Sequence, residues 1–134
     1  MIVADTNLIA HLLIKGQGTE EAMSILKRDS SWTVPLLWRS EFRSVLTLHV
    51  RQRLLALEQA IRLMYEAEQL LTIGEVEANS DEVLQLASIS NCSAYDCEFV
   101  AVARRLRISL VTSDKEILST FPEVAVSPSD FLTR

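Results

Sequence analysis

Short β-branched and aliphatic runs alternate with longer stretches of helical spacing along the whole chain. That alternation restricts the possible folds more than any other feature of the sequence. Ile2 to Ala4 is a short apolar run ending in Asp5. Residues 7–15 and 19–29 carry helical spacing and are separated by the punctuation at Gly16–Gly18. Thr33-Val34-Pro35 is a second short strand, and residues 36–52 and 55–70 follow as a helical hairpin. Leu71 to Ile73 is expected to be a third strand, stopped by Gly74. Ser80 precedes a helix over 81–90, with Val83, Leu84, Leu86, Ala87 and Ile89 on its apolar side and Asp81 and Glu82 in its first turn. Ser93 is placed to cap a helix over 94–106. Ile108 to Thr112 and Val124 to Val126 complete the strands, and Ser127-Pro128 starts a last helical turn. Strands alternating with helices require right-handed crossovers, hence a parallel sheet covered on both faces. The expected fold is α/β: a three-layer α/β/α sandwich with a central, mostly parallel five-stranded sheet, forming a single domain over residues 1–134.

Composition agrees with that size and class. A chain of 134 residues that is 49% hydrophobic and 23% charged can bury a sizeable core. Glycine and proline occur three times each, which argues against linkers and long loops. No apolar run approaches the roughly 20 residues that span a bilayer. The opening MIVADTNLIAHLLIKG has neither the leading positive charge nor the unbroken apolar stretch of a secretory signal, so a cytoplasmic protein is expected. Cys92 and Cys97 are too few for a disulfide framework and read as ordinary thiols. The net charge of −5 is not that of a protein gripping nucleic acid by bulk electrostatics, so any such substrate has to be argued from a site.

Acidic residues supply that site. In open parallel sheets, ligands bind beyond the carboxyl ends of the strands, where strand order reverses. Asp5 and Asp114 follow two strands at that edge. Asp96 lies near the start of the helix capped by Ser93, and Glu41 in the first turns of the helix after strand two. Two carboxylates about 5 Å apart repel by roughly 3 kcal/mol at an effective dielectric near 20. A converging set therefore raises its own pKa values or takes up a cation. Oxygen donors alone favour Mg²⁺ or Mn²⁺. Each acid also has a purely structural use: Asp5 and Asp114 as helix caps, Asp96 against a helix dipole, Glu41 beside Arg39 and Arg43.

The ordered set resembles the PIN domain family, in particular the VapC-like toxins of toxin–antitoxin pairs. The likeness lies in DTN at Asp5-Thr6-Asn7 after a short strand, the acid at Glu41, SAYDCEFVAVARRL from Ser93 to Leu106, and LVTSDKEIL from Leu110 to Leu118. Cys97 stands where alanine is more usual, and Arg39 lies two residues before the glutamate; neither removes an acid. The resemblance implies a ribonuclease that hydrolyses RNA phosphodiester bonds with Mg²⁺ or Mn²⁺. It makes Asp5, Glu41, Asp96 and Asp114 the catalytic and metal-holding quartet, supported by Thr6, Asn7 and Thr112. It also implies a cognate antitoxin and a homodimer, and no membrane partner.

Several further expectations come from the residues themselves. His11 and His49 lack partner motifs and read as structural or surface residues. Arg39, Arg43 and Lys115 are candidates to contact RNA, with Arg51 and Arg53, or Arg104, Arg105 and Arg107, as further basic groups; such runs are commonly solvated faces. Leu36, Leu37, Trp38, Phe42, Val45, Leu46, Leu48 and Val50 spread around much of their helix, which calls for burial by the hairpin partner or by a second subunit. Alternative functions are a DNA-directed nuclease, a PIN-type nuclease of RNA processing outside toxin–antitoxin biology, or a non-catalytic interaction protein whose acids are caps and surface charge.

Overall fold

The structure, a computed structural model, describes all 134 residues. It contains β1 (Ile2–Ala4), α1 (Thr6–Leu13), α2 (Thr19–Arg28), β2 (Trp32–Pro35), α3 (Trp38–Arg51), α4 (Leu57–Leu71), a 3-10 turn (Thr72–Gly74) and β3 (Glu75–Val76). These are followed by α5 (Ser80–Ser88), α6 (Ala94–Leu106), β4 (Leu110–Val111), α7 (Lys115–Thr120), β5 (Ala125–Val126) and α8 (Pro128–Leu132). No helix is long and apolar enough to cross a membrane.

The five strands form one sheet in the order β3-β2-β1-β4-β5, and every pairing is parallel. The chain steps from β1 to β2 to β3 in one direction, then crosses back to β4 and β5. Right-handed crossovers therefore place α1–α4 on one face and α5 and α6 on the other. The contacts agree: α1 packs on α2 and α3, α3 on α4, and α6 on β1, β2 and β4. Strand β1 lies at the centre, and Ile2, Val3 and Ala4 are all buried, as a strand covered on both faces requires. Trp38 and Phe42 fill one side of the core, and Phe99 and Val100 are buried from α6.

One expected strand falls elsewhere. Leu71 ends α4, and Thr72–Gly74 make a 3-10 turn, so the third strand is Glu75–Val76 rather than residues 71–73. The apolar, β-branched character of this stretch misleads, because tertiary pairing sets the register: Val34 opposes Glu75 and Pro35 opposes Val76. Ile73 is left 97% exposed. Gly74 lets the chain enter the sheet, since a Cβ there would stand 2.0 Å from the Trp32 carbonyl oxygen. The helical hairpin α3–α4 forms as expected. It buries Trp38, Phe42 and Leu46 but leaves Leu36 and Leu48 about half exposed, so intramolecular packing covers only part of the apolar surface of α3.

Candidate active site

Strand order reverses between β1 and β4, and the two segments leaving those strands carry most of the site. Asp5 follows β1 directly and caps α1. It is only 7% exposed, yet its carboxylate is well held. Oδ1 accepts from the Thr6 N–H at 2.8 Å; Oδ2 accepts from the Thr112 hydroxyl at 2.6 Å and from the Asn7 amide at 3.3 Å. Burial pushes the Asp5 carboxyl up to about 6, against the Thr112 and Thr6 hydrogen bonds, with the charges of Glu41 and Asp96 adding to the rise.

Thr112 follows β4 and is fully buried. While donating to Asp5, its oxygen accepts from the Asn7 amide at 3.3 Å and from the Asp114 N–H at 3.0 Å. Asn7 Oδ1 in turn accepts from the Ser113 N–H at 3.2 Å. Asn7 and Thr112 thus fasten the segment after β1 to the segment after β4. Asp114 caps α7 through one oxygen, which accepts from the Ile117 N–H at 2.9 Å. The capping role and a place in the site coexist, because the other Asp114 oxygen is not engaged.

The remaining two acids come from helix starts on opposite faces of the sheet. Glu41 lies in the first turn of α3, and its Oε1 accepts from the Thr6 hydroxyl at 2.7 Å. Burial raises the Glu41 carboxyl above its ordinary value, and the charges of Asp96 and Glu98 add to this. Asp96 lies in the first turn of α6; its backbone N–H donates to the capping Ser93 hydroxyl at 3.0 Å, while its carboxylate is half-buried and makes no hydrogen bond to the protein.

Asp5, Glu41 and Asp114 line one open cleft of about 510 Å³ together with Thr6, Asn7, Leu37, Ser40, Ser44, Val45 and Tyr95. Asp96 is near enough for its charge to act on both Asp5 and Glu41. Three of the four acids therefore share one cleft, and Asp96 stands outside its lining. No three acidic side chains are grouped closely enough to hold one ion as they stand. The donor set nevertheless suits a hard divalent cation. It is all oxygen, none of the four acids is in an ion pair, and Glu41, Asp96 and Asp114 each keep an uncommitted carboxylate oxygen.

None of the basic candidates is in the lining of the cleft. Arg39 is occupied: Nε and Nη2 donate to Glu75 at 2.6 and 2.9 Å, Nη1 pairs with Glu68, and the guanidinium lies 5.6 Å from the Trp38 ring centre. It points away from Glu41 because residues two apart on a helix face nearly opposite directions. Arg43 lines the groove between α3 and α4 rather than the cleft, while Lys115 is exposed in the first turn of α7, next to Asp114. His49 Nδ1 sits 2.8 Å from the Val45 carbonyl, and neither histidine lines the cleft. Cys92 and Cys97 are buried free thiols, and burial pushes both above the usual thiol range.

Four residues near the cleft escaped the sequence reading. Ser40 and Ser44 share the stripe of α3 that holds Leu37, Glu41 and Val45, a spacing visible once Glu41 is taken as the anchor. Tyr95 precedes Asp96 and had its signal in the same motif. Glu98, whose charge reaches Glu41, had none.

A PIN domain profile matches residues 2–125. No curated protein matches the chain in sequence. Among solved structures, the chain is similar to FitAcB from Neisseria gonorrhoeae, at 19% identity and a TM-score of 0.75, over 96% of this chain and 99% of that one. It is also similar to PAE2754 from Pyrobaculum aerophilum, at 20% identity and a TM-score of 0.79, over 99% of this chain and 87% of that one. A toxin–antitoxin complex from Klebsiella pneumoniae matches at 18% identity and a TM-score of 0.70, over 96% of this chain and 98% of that one. At these identities the likeness establishes the fold.

Proposed function

The chain belongs to the PIN domain family, and on that premise we propose that it is a Mg²⁺- or Mn²⁺-dependent endoribonuclease acting as the toxin of a toxin–antitoxin pair. The observation that carries this reading is the set of four carboxylates at the carboxyl edge of the sheet, unpaired with any cation of the chain, three of them lining one cleft. Burial without a counter-cation raises the Asp5 and Glu41 carboxyls, a cost that a bound divalent cation would offset.

Asp5, Glu41, Asp96 and Asp114 would hold the cation. When bound, it would activate water for attack on a phosphodiester and offset charge on the phosphate. The chain's own residues prepare the site. Thr112 and the Thr6 N–H hold the Asp5 carboxylate in one orientation and favour its ionised form. The Thr6 hydroxyl does the same for Glu41 and leaves that residue's second oxygen without a hydrogen bond to the protein. No histidine or other neutral base lines the cleft, so the carboxylates are the groups available to accept a proton from water.

An antitoxin partner is part of the proposal, because one structural neighbour is a toxin–antitoxin complex. The groove of about 670 Å³ between α3 and α4, with Leu57, Ile61 and Tyr65 about 60% exposed on its α4 side, offers apolar surface to an antitoxin or to a second subunit of a homodimer. A cytoplasmic location follows from the same reading.

The test is RNA cleavage by partner-free protein with Mg²⁺, with excess chelator, and with Asp96→Asn. Cleavage that needs the cation and is lost in the variant is expected, with an unchanged circular dichroism spectrum. Cleavage that survives both chelator and the substitution would remove the mechanism.

A further inference from the structure

Only two residues of the chain take a positive φ, and both are arginines: Arg53 at 60° and Arg107 at 56°. None of the glycines does so. Arg107 is the C-cap of α6, in the left-handed region, and its N–H bonds to the Ala103 and Arg104 carbonyls. Glycine takes that conformation without steric cost and is the usual residue there, whereas a side chain is strained by it. The end of α6 does not need a further cation, because Arg104 and Arg105 already occupy its last turn. The Arg107 side chain is exposed and joins no ion pair.

Its surroundings give that cation a use. Arg107 lines a recess of about 350 Å³ together with Arg104, Ser109 and Glu123. The recess lies where β4 and β5 begin, at the edge of the sheet opposite the acidic cleft. Arg134 Nη1 donates to the Ser109 hydroxyl at 2.9 Å, which leaves the Ser109 proton free for an acceptor. Arg134 is itself held in place, since Arg28 donates to the carbonyls of Phe131, Leu132 and Arg134. Glu123 is the only acid in the lining, and Arg104 already pairs with it. Arg107 and Arg134 therefore bring two guanidinium groups, neither of them in an ion pair, to one polar recess of a protein whose net charge is −5.

We propose that Arg107, Arg134 and the Ser109 hydroxyl form a binding site for a phosphate group at the edge of the sheet away from the carboxylates. Guanidinium forks match phosphate oxygens in pairs, and the hydroxyl adds one more donor. Backbone strain at Arg107 is then the counterpart of binding, as it is at other sites where a costly conformation places a functional group. The same chemistry serves a free polyphosphate anion and the backbone of a nucleic-acid strand, and the experiment separates the two. The site does not depend on the nuclease reading; it stands even if the acidic cleft is inert.

Two titrations test this, both without divalent cations so that no turnover occurs. One follows inorganic pyrophosphate by calorimetry, and the other follows a labelled RNA strand of about ten nucleotides by fluorescence anisotropy. Arg107→Gly should weaken binding by about tenfold to a hundredfold, the range for hydrogen bonds between charged groups. Its melting temperature should stay at or above that of the wild type, because glycine relieves the strained backbone. Loss of binding is thereby separated from loss of fold. Arg134→Gln should weaken binding as well, and Glu123→Gln should tighten it by removing the one acid and releasing Arg104. Arg105→Gln, which lies outside the recess lining and pairs with Glu82, should bind as wild type. Binding of pyrophosphate alone assigns the site to a free anion. RNA binding whose logarithmic salt slope becomes shallower by about one in Arg107→Gly assigns it to a backbone phosphate. Binding of neither probe, unchanged affinity in Arg107→Gly, or equal loss in Arg105→Gln would overturn the site. So would a lower melting temperature in Arg107→Gly, since the arginine would then be kept for stability.

Discussion

The Thr112 hydroxyl donates to Asp5 Oδ2 over 2.6 Å and joins two residues 107 positions apart at the place where strand order reverses. Its oxygen also accepts from Asn7 and from the Asp114 N–H, so one buried hydroxyl orders three of the polar groups at the cleft. Thr112→Val keeps the shape and removes all three bonds. Stability should fall by about 1–3 kcal/mol, the penalty for buried polar groups left without partners. Cleavage should fall by about 10- to 100-fold, as when a hydrogen-bond partner of a metal-holding residue is removed. Thr112→Ser should recover most of both, measured by thermal melting and by initial rates at saturating Mg²⁺. Full activity in the valine variant would mean that Asp5 needs no fastening.

Asp5 predicts a pH dependence of stability. Its folded pKa of about 6 lies above the reference value of 3.8 because the carboxylate is buried. The folded state therefore binds the proton more tightly than the unfolded state does. The associated stability is complete below pH 3.8 and is lost as pH rises through about 6, on the order of 3 kcal/mol at about 1.4 kcal/mol per decade of proton affinity. In chelator, the melting temperature of Asp5→Asn relative to wild type should climb between pH 4 and pH 7, and added Mg²⁺ should narrow the gap by stabilising wild type alone. A pH-independent difference would show that Asp5 is not strained by burial.

Arg39 separates a structural from a substrate-binding role. Its donors go to Glu68, Glu75 and Thr72, so it clamps α3 to the end of α4 and to β3. Arg39→Ala should cost about 1–3 kcal/mol, the range for hydrogen bonds to charged groups with partners left behind, and should leave KM for RNA unchanged. A raised KM with unchanged melting would restore Arg39 to the substrate-contacting group.

Gly74 tests the entry into the edge strand. A methyl at this position meets the Trp32 carbonyl oxygen at 2.0 Å, and backbone cannot yield as a side-chain tip does. Gly74→Ala should destabilise by about 1–3 kcal/mol or somewhat more, as overpacking does, read as a lower denaturation midpoint. Ile73→Ser next to it, at a position 97% exposed, should change stability by less than about 0.5 kcal/mol.

Much of this architecture is legible in the sequence. The αβ alternation implies the parallel sheet, Ser93 is placed to cap α6, and Asp5 and Asp114 stand at or just beyond strand ends; each of these is a local matter of periodicity or capping chemistry. The strand at Glu75–Val76 was not legible, because Leu71 to Ile73 has the better β-forming residues and only pairing with β2 overrules them. The acids are legible as an ordered set, yet which of them share a cleft is not.

By itself, the order of residues determined which side chains occupy the carboxyl ends of the strands and the first turns of the helices, since backbone geometry and helix capping act over a few neighbours. Only the tertiary structure decided that Arg39 would be consumed by Glu68 and Glu75, that Thr112 would reach Asp5, and that Tyr95 would stand in solvent across from Ser40 and Ser44. Those relationships depend on how segments far apart in the chain pack around a common core, and local periodicity carries no record of them.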